Sequence, residues 1–431
     1  MRKIIQLKSN KQLFKKSGLL LIALSLSLLS YSVTKTSTGN GNWSNASSWS
    51  PSGVPAANDS IIINHAIVLD QDIELTAGGK LTINSGASLI GNISTRRIGY
   101  TLSNTGPSVR VTNYGTLTIG RYNRSASGGN SNDDQYFDNY GTFNLSDNID
   151  CNGSASAFAM AWGVFTNHAG AVINASPCVY IGGGTSQAEF HNSGEIFFNC
   201  STCSNAFAAH STSTIINHPG GHVTAVELMT MGGLDQHNYG CINALGGIRV
   251  FEKTSNGGNG TFTLHDNSKI FVPSGQQFNI NANTTLIGID DDNNNANNAC
   301  VSTQTQVTNN GTISGEFYLN DPDGIVSGTV GSNVVLGTGN CGGGCTVAAC
   351  AISSVTATPG ACNSGNNQYT LTGAVTFSNA PSSGTMTITV SGGGSQVFTA
   401  PFTSPTSYSI SGLISDGVAH NVDVVFSADA N

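Results

Sequence analysis

A side chain able to contact a ligand follows an asparagine at a regular spacing along the chain. The regularly spaced asparagines are Asn113, Asn139, Asn167, Asn192, Asn217 and Asn238, and a similar Asn309 follows after a longer gap that would hold roughly three such intervals. Rings spaced along an elongated protein can bind an extended glycan, because ring faces pack on sugar CH groups and ring edges form hydrogen bonds. The predicted glycan-binding residues are Tyr114, Tyr140, His168, His218 and Tyr239, with Ser193 and Asn310 at equivalent positions. The competing interpretation is that Tyr and His merely suit a partly buried turn.

Two short acidic runs offer oxygen ligands. Carboxylates close together in sequence can bind Ca²⁺, which would stiffen neighbouring repeats. The competing interpretation is a solvated loop, because the first run lacks the Glu and Gly spacing of a helical Ca²⁺ loop. The predicted Ca²⁺ ligands are Asp290, Asp291 and Asp292 in the first run and Asp321 and Asp323 in the second; no other cofactor is predicted.

A catalytic site would need two or three carboxylates on neighbouring repeats, as acid/base pairs or as Ca²⁺ ligands beside a basic residue. Asp138 and Glu195 lie at different offsets from their Asn, so they are not expected to cluster. Asp133 and Asp134 lie in a Gly-, Ser- and Asn-rich insertion. We therefore predict no catalytic residues. A polysaccharide lyase or glycoside hydrolase on the same scaffold is the alternative.

The repeat that carries these residues has the pattern of β-strands. Apolar residues lie two positions before the Asn and four and six after it, which is the period of a strand. The Gly two residues after the Asn predicts a bend with positive φ. A period of roughly 21 to 28 residues suits three short strands and three bends, and a fixed period indicates stacked units. The sequence thus predicts a right-handed parallel β-helix, the hand following the usual rule for parallel crossovers.

Stacking of the predicted coils aligns equivalent residues. We expect the motif Asn side chains to form a ladder of amides at one corner. Two apolar columns are expected inside, one of Phe137, Phe165 and Phe190 and the other of Leu117, Phe143, Ile196 and Ile242.

The N-terminus predicts export. Six cationic residues precede an apolar run at positions 18–29, and Ser30 to Ser32 offers a cleavage site, so residues 1–32 are predicted to be a signal peptide. The mature chain would be secreted or at the cell surface, without membrane insertion after cleavage. It would retain 10 cationic and 24 acidic residues, a net charge of −14, which makes it a poor candidate for nucleic acid.

The rest of the chain divides into further segments. Residues 33–75 are predicted to form a cap and first strands, with Trp43 and Trp49 covering an edge that would otherwise invite aggregation; a Trp platform for sugar is the alternative. The β-helix is expected over 76–339 and a Gly- and Cys-rich joint over 340–349. Short alternating strands between Pro, Gly and Ser turns predict an antiparallel sandwich over 350–431.

Ten Cys residues in an exported chain predict disulfides. Cys151 and Cys178 are separated in sequence by the length of one coil, so they can lie side by side. A metal or redox site at Cys200 and Cys203 is disfavoured, since a second such pair and a thioredoxin-like context are lacking in the sequence. The predicted pairs are Cys151–Cys178, Cys200–Cys203, Cys350–Cys362, and Cys341 with Cys345 or Cys300.

The opening of the chain resembles a known group of proteins. Its elements are a Gly-x-Trp at 41–43, Trp49, a Gly-x-Pro at 53–55 and Asp59, followed by Leu-Thr-Ile-x-x-Gly-Ala-x-Leu at 81–89 and Asn-x-Gly-Thr coils. These resemble the β-helical start of large secreted and cell-surface proteins of Bacteroidetes, over about residues 38–340. Tandem Ig-like modules commonly follow there, residues 350–431 look like one, and many of these proteins act as adhesins. The resemblance implies a non-catalytic adhesin or structural stalk that contacts extracellular glycan or another cell surface, with more Ig-like modules downstream in the same polypeptide.

Overall fold

The protein is described by a computed structural model. Within the described residues, the regular elements are β-strands apart from one short 3₁₀ helix, Ala46–Ser48. The described residues are 32–101, 107–124, 135–147, 158–160, 162–182, 188–200, 203–209, 213–232, 235–250, 260–291, 298–337, 351–378, 380, 385–399, 402 and 404–427.

Three long sheets, named A, B and C here, wind around one core. Successive coils add a strand to each sheet in turn, and the strands pair in parallel from coil to coil. Beyond the first coil, the strands of these sheets thus pair with strands of neighbouring coils and not with strands of their own coil. This confirms the predicted parallel β-helix.

The strand bounds follow the chain from coil to coil. In spatial order, sheet A comprises Trp49–Ser50, Thr34–Ser37, Ser60–Ile63, Lys80–Ile83, Val109–Asn113, Gln135–Asn139, Gly163–Asn167, Ala188–Asn192, Thr214–Asn217, Asp235–Asn238, Gly260–Leu264, Thr284–Gly288, Thr312–Gly315 and Thr329–Val330. Sheet B comprises Gly41–Asn42, Ala66–Leu69, Ser88–Gly91, Thr116–Ile119, Thr142–Leu145, Val172–Ala175, Glu195–Phe198, His222–Ala225, Cys241–Ala244, Lys269–Val272, Ala299–Thr303, Phe317–Asn320 and Val334–Gly337. Sheet C comprises Ile73–Leu75, Arg97–Tyr100, Arg121–Arg124, Phe158–Met160, Val179–Ile181, Phe207–Ala209, Met229–Met231, Ile248–Val250, Phe278–Ile280 and Val307–Asn309.

The core consists of the apolar columns that the period-two pattern predicts. In sheet A the Phe165 ring lies 4.8 Å from Phe137 and 5.1 Å from Phe190, measured between ring centroids. All three side chains are buried, and burying one is worth about 1.5–3 kcal/mol. The predicted column in sheet B is also formed, and its register partners are Leu117, Phe143, Ile173, Ile196, Val223 and Ile242.

A ladder of buried amides lines the corner between sheets A and B, as the sequence predicts. Each Nδ2 donates to the Oδ1 of the next Asn, with N···O distances of 2.8 to 2.9 Å. Ile83 precedes the ladder in register and Leu264 follows it. Its six members are Asn113, Asn139, Asn167, Asn192, Asn217 and Asn238.

The prediction was wrong for Asn309. This residue ends a strand of sheet C and pairs with Ile280, so it lies at a different corner of the coil. Its Oδ1 accepts from the Gly311 main-chain N–H at 3.1 Å, as the Oδ1 of Asn113 does from Gly115 at 3.2 Å. The Asn-x-Gly signature therefore marks a bend between two strands, and the bend can belong to either corner.

The role predicted for the motif Gly was also wrong. Gly115, Gly141, Gly194 and Gly240 do not have positive φ. A Cβ atom on Gly141 would instead overlap the Gly115 carbonyl oxygen of the preceding coil. Gly is needed there because the backbones of stacked bends approach each other closely.

The N-terminal coil is closed by packed tryptophans. Thr34–Ser37 pairs antiparallel with Trp49–Ser50 on one side and parallel with Ser60–Ile63 on the other. Trp43 and Trp49 lie 5.0 Å apart edge to face, and Trp49 Nε1 donates to the Trp43 carbonyl. Both side chains are buried, which fits a cap and leaves no open ring for a sugar platform.

The C-terminal part folds into two antiparallel three-stranded sheets that contribute to a hydrophobic cluster separate from that of the β-helix. Sheet D comprises Ala351–Pro359, Gln368–Ser378 and Thr406–Ile414, and sheet E comprises Ser395–Thr399, Thr385–Val390 and Val422–Phe426.

Candidate functional site

The residue after each ladder Asn points away from the core, into what we call the outer column. Its main-chain N–H donates to the carbonyl of the ladder residue one coil earlier, for example Tyr140 to Asn113 at 2.7 Å and His168 to Asn139 at 2.9 Å. Equivalent side chains are therefore one coil apart along the rod. The column continues in register beyond the Asn ladder, where the inward residue is Ile63, Ile83, Leu264 or Gly288. The outer column consists of Asn64, Asn84, Tyr114, Tyr140, His168, Ser193, His218, Tyr239, His265 and Ile289.

Three rings of the outer column form a continuous stack. The centroids of Tyr114 and Tyr140 are 4.8 Å apart, and those of Tyr140 and His168 are 3.7 Å apart, with nearly parallel planes. Tyr114 is 42% exposed and Tyr140 is 38% exposed. Partial burial raises the pKa of Tyr140, and the Asp138 carboxylate adds to this effect. The phenol therefore stays protonated and presents a neutral hydroxyl to solvent.

Charged residues surround this stack. Asp138 lies one coil before His168, with 3.2 Å between Asp138 Oδ1 and His168 Nε2. The other oxygen of Asp138 lies 3.1 Å from Arg110 Nη1, and the Arg110 guanidinium lies 4.5 Å above the ring of Tyr136. These groups offer hydrogen-bond donors and acceptors beside the rings. Their ion pair is partly exposed, so its contribution to stability is small.

The imidazoles of His191 and His218 lie next to each other further along the outside of the β-helix. His191 Nδ1 and His218 Nε2 are 3.0 Å apart, and His191 Nε2 lies 3.1 Å from Glu189 Oε2. Partial burial lowers the pKa of His218, and the neighbouring His191 lowers it further. His218 is therefore a neutral imidazole near pH 7.

A second ring group lies two coils further on. Tyr239 stacks on His265 at 3.6 Å, and His265 Nε2 faces His237 Nδ1 at 2.9 Å. Two carboxylates hold the outer nitrogens, Asp291 Oδ1 at 2.9 Å from His265 and Asp235 Oδ1 at 3.0 Å from His237. Burial raises the pKa of Tyr239, with further contributions from Asp291 and Asp235.

Sequence reasoning missed His265, although it lies in the outer column. The ladder residue before it is Leu264 instead of Asn, so the motif is broken at this coil. The remaining signal was the spacing, because His265 follows Tyr239 by one coil length in the sequence. Of the predicted residues, Tyr114, Tyr140 and His168 meet in one group, His218 joins His191, and Tyr239 joins His265.

The predicted Ca²⁺ ligands do not converge in the described residues, where no group of three or more His, Cys, Asp or Glu side chains is placed to hold a metal ion. Asp291 accepts from His265, while Asp321 accepts from the Val307 N–H and Asp323 from the Ile325 N–H. Burial and the nearby Asp323 carboxylate raise the pKa of Asp321. Asp290 makes contacts of its own and Asp292 lies outside the described residues. Ca²⁺ binding at these runs stays a prediction.

The cysteines follow the predictions in part. The Cys200–Cys203 disulfide is formed, with the Cα atoms 5.6 Å apart. The predicted Cys350–Cys362 pair was wrong, because Cys362 is a free, exposed thiol 3.6 Å from Asn367 Oδ1. Cys178 and Cys300 are disulfide-bonded. Cys151, Cys341, Cys345 and Cys350 lie outside the described residues, so their pairings stay predictions.

The fold and the outer column are the basis for inferring a function for this protein. No protein family model, curated protein or solved structure matches this chain. Within the described residues, no helix has the length and hydropathy needed to cross a bilayer.

Proposed function

We propose that this protein is an exported, non-catalytic binding protein whose β-helix contacts extracellular glycan through the outer column. The observation that carries the proposal is the stack of Tyr114, Tyr140 and His168, in which three partly exposed rings lie nearly parallel. Exposed aromatic side chains beside a few fixed polar groups are typical of sugar-binding surfaces.

The geometry of the stack decides how a sugar would contact it. Both faces of Tyr140 are covered by its neighbours, so this ring offers its edge and its hydroxyl group to a ligand. A glycan lying along the rod would form hydrogen bonds with these edges and with Asp138 and Arg110. Ring faces remain available only where the stack ends.

The C-terminal sheets fit a spacer role in the same proposal. The residues after 350 resemble the Ig-like modules of Bacteroidetes cell-surface proteins, and this resemblance supports an adhesin or structural stalk. The signal-like N-terminus supports secretion or display at the cell surface. Further Ig-like modules of the same polypeptide would hold the β-helix away from the cell.

Substitution of the tyrosines tests the binding surface. We expect Tyr114→Ala, Tyr140→Ala and Tyr239→Ala together to reduce adhesion to glycan arrays and cell surfaces while leaving the unfolding temperature nearly unchanged. Val68→Ala with Ile90→Ala is the control, because both residues are exposed apolar side chains on sheet B. Normal adhesion of the triple variant would place the binding surface elsewhere.

A cleavage assay separates this proposal from a carbohydrate-active enzyme. We expect the mature chain to release neither reducing ends nor unsaturated products from common polysaccharides. Product release that a single Asp substitution abolishes would make the protein an enzyme and end the proposal.

A further inference from the structure

The outer column has one coil without a ring among coils that have one. From Tyr114 to His265 each coil places a Tyr or His side chain in the column, except the coil of Ser193. Ser193 N donates to the Asn167 carbonyl at 2.8 Å and His218 N to the Asn192 carbonyl at 2.7 Å, so the register is unbroken there. A small side chain thus lies between His168 on one coil and His218 two coils later.

The spacing of this interruption matches the thickness of one ring. Adjacent coils are about 4.8 Å apart, so equivalent atoms of His168 and His218 are separated by about 9 to 10 Å. Rings one coil apart in the outer column are 4.8 Å apart at Tyr114 and Tyr140, 3.7 Å at Tyr140 and His168, and 3.6 Å at Tyr239 and His265. The backbone spacing therefore leaves room over Ser193 for one ring at roughly 4–6 Å from each imidazole, which overlaps the range of about 4.5–7 Å for stacked rings.

The His168 imidazole forms one wall of the gap over Ser193, and contacts with Tyr140 and Asp138 hold it in place. Tyr140 covers one face of the imidazole at 3.7 Å, and Asp138 lies 3.2 Å from its Nε2. The opposite face, toward Ser193, contacts no other ring in the described residues. One face of the His168 imidazole is therefore free of ring contacts in the described residues, and the side chain is 30% exposed.

The His218 imidazole forms the other wall of the gap, and the His191 imidazole beside it widens this wall. The centroids of His191 and His218 are 5.3 Å apart with 15° between planes, while their facing nitrogens are 3.0 Å apart. Because the nitrogens lie between the two rings, the rings are joined edge to edge and nearly coplanar. Glu189 fixes the far side of His191 at 3.1 Å.

We infer that the slot over Ser193 binds one pyranose ring of a neutral glycan, with one sugar face against His168 and the other against His218. This inference rests on the proposed function and adds to it the position of a single subsite. The two walls supply ring faces for the axial CH groups, and the carboxylates at the slot supply acceptors for hydroxyl groups at the sugar edge.

Charge at the slot selects a neutral sugar. Each wall carries a carboxylate, Asp138 beside His168 and Glu189 beside His191, and Arg110 pairs with Asp138 alone. His218 adds no positive charge near pH 7, since its pKa is lowered by burial and by His191. The two carboxylates outnumber the single guanidinium, so these charged groups disfavour an acidic sugar.

Filling the slot tests the inference without removing any ring. We expect Ser193→Tyr to complete the stack and weaken glycan binding about tenfold or more, because both stacking faces are then covered. Ser193→Ala, which leaves the slot open, should bind as the wild type does. If Ser193→Tyr binds normally while the triple Tyr variant does not, the subsite is wrong and the proposed function stands. A wild type that binds no glycan at all would contradict both.

A second measurement does not depend on the folding of the Tyr variant. Titration of the full chain with methyl β-glucopyranoside should shift the imidazole NMR signals of His168 and His218 together, and leave those of His420 unchanged. Shifts with indole but not with the glycoside would assign the slot to an aromatic ligand and overturn the inference. The absence of shifts with both probes would also overturn it.

Discussion

Two adjacent residues at the ladder corner of a coil have different structural roles. The ladder Asn points inward and forms amide hydrogen bonds from coil to coil, while the next residue points outward and carries the ring. The buried ladder therefore aligns the backbone positions from which the rings of the outer column extend. Tyr140 and His168 follow Asn139 and Asn167, whose side chains are 2.8 Å apart from nitrogen to oxygen.

Removal of one ladder amide should destabilise the rod. Asn167 accepts from Asn139 and donates to Asn192 and to the Glu195 carbonyl. We expect Asn167→Ala to lower the free energy of unfolding by about 1–3 kcal/mol, since it leaves buried polar groups unpaired. The control is Asn174→Ala, whose amide bonds to Asn144 at 2.9 Å on the half-buried outer face of sheet B. Equal losses in chemical denaturation would contradict this view of the buried ladder.

Acid should destabilise the protein through His218. Burial and the neighbouring His191 lower the pKa of His218 in the folded state, whereas a His in an unfolded chain has a pKa of about 6.5. As the pH falls through about 6.5, the unfolded chain takes up this proton first, so stability decreases until folded His218 is also protonated. We expect the drop in unfolding temperature between pH 7.5 and pH 5.5 to be smaller in His218→Gln. An unchanged drop would rule out a contribution from this side chain.

At the scale of one element, alternation of apolar residues was enough to predict the strands and their register. Residues such as Phe137 and Phe143 are correctly predicted to face the core, because a strand buries every second side chain. The C-terminal strands are also found, since Pro, Gly and Ser turns separate them. Asn309, by contrast, was assigned to the wrong corner because a bend motif does not state which two sheets it joins.

Contacts between coils were harder to predict than the coils themselves. His265 was missed because its neighbour Leu264 breaks the local pattern while the three-dimensional register continues. The motif Gly was given a conformational role, although its requirement comes from the backbone of the preceding coil. Such contacts join residues a full coil apart in the sequence, which no local pattern encodes. The prediction that Cys362 pairs with Cys350 was wrong, because proximity in sequence does not determine which thiols come together.

An added methyl group at a stacked bend should be costly. A Cβ on Gly141 would meet the carbonyl oxygen of Gly115 in the bend of the preceding coil, and this backbone atom has little freedom to move. We expect Gly141→Ala to lower the free energy of unfolding by about 1–3 kcal/mol through overpacking. Gly39→Ala is the control, because no atom lies within 4 Å of the added Cβ there and φ is not positive. A Gly141→Ala variant as stable as Gly39→Ala would contradict close approach of the bends.

At the scale of the whole molecule, stability is expected to be distributed along the rod. Each coil buries its apolar face against the coils before and after it, so damage at one coil affects its neighbours most. The first coil lacks a preceding one, and the packed Trp43 and Trp49 cover that end. The C-terminal sheets do not share this arrangement, because they bury a cluster of their own.

The two hydrophobic clusters should unfold as separate units. Leu286 in the β-helix and Ile388 in the C-terminal sheets are both fully buried, and Leu→Ala or Ile→Ala at such sites costs about 2–5 kcal/mol. We expect Leu286→Ala to speed amide hydrogen exchange in β-helix strands such as Thr312–Gly315 and to leave Gln368–Ser378 protected. Ile388→Ala should do the reverse, since its contacts lie in the other cluster. Loss of protection in both regions from either substitution would show that the clusters unfold together, and the C-terminal sheets could then not serve as an independent spacer.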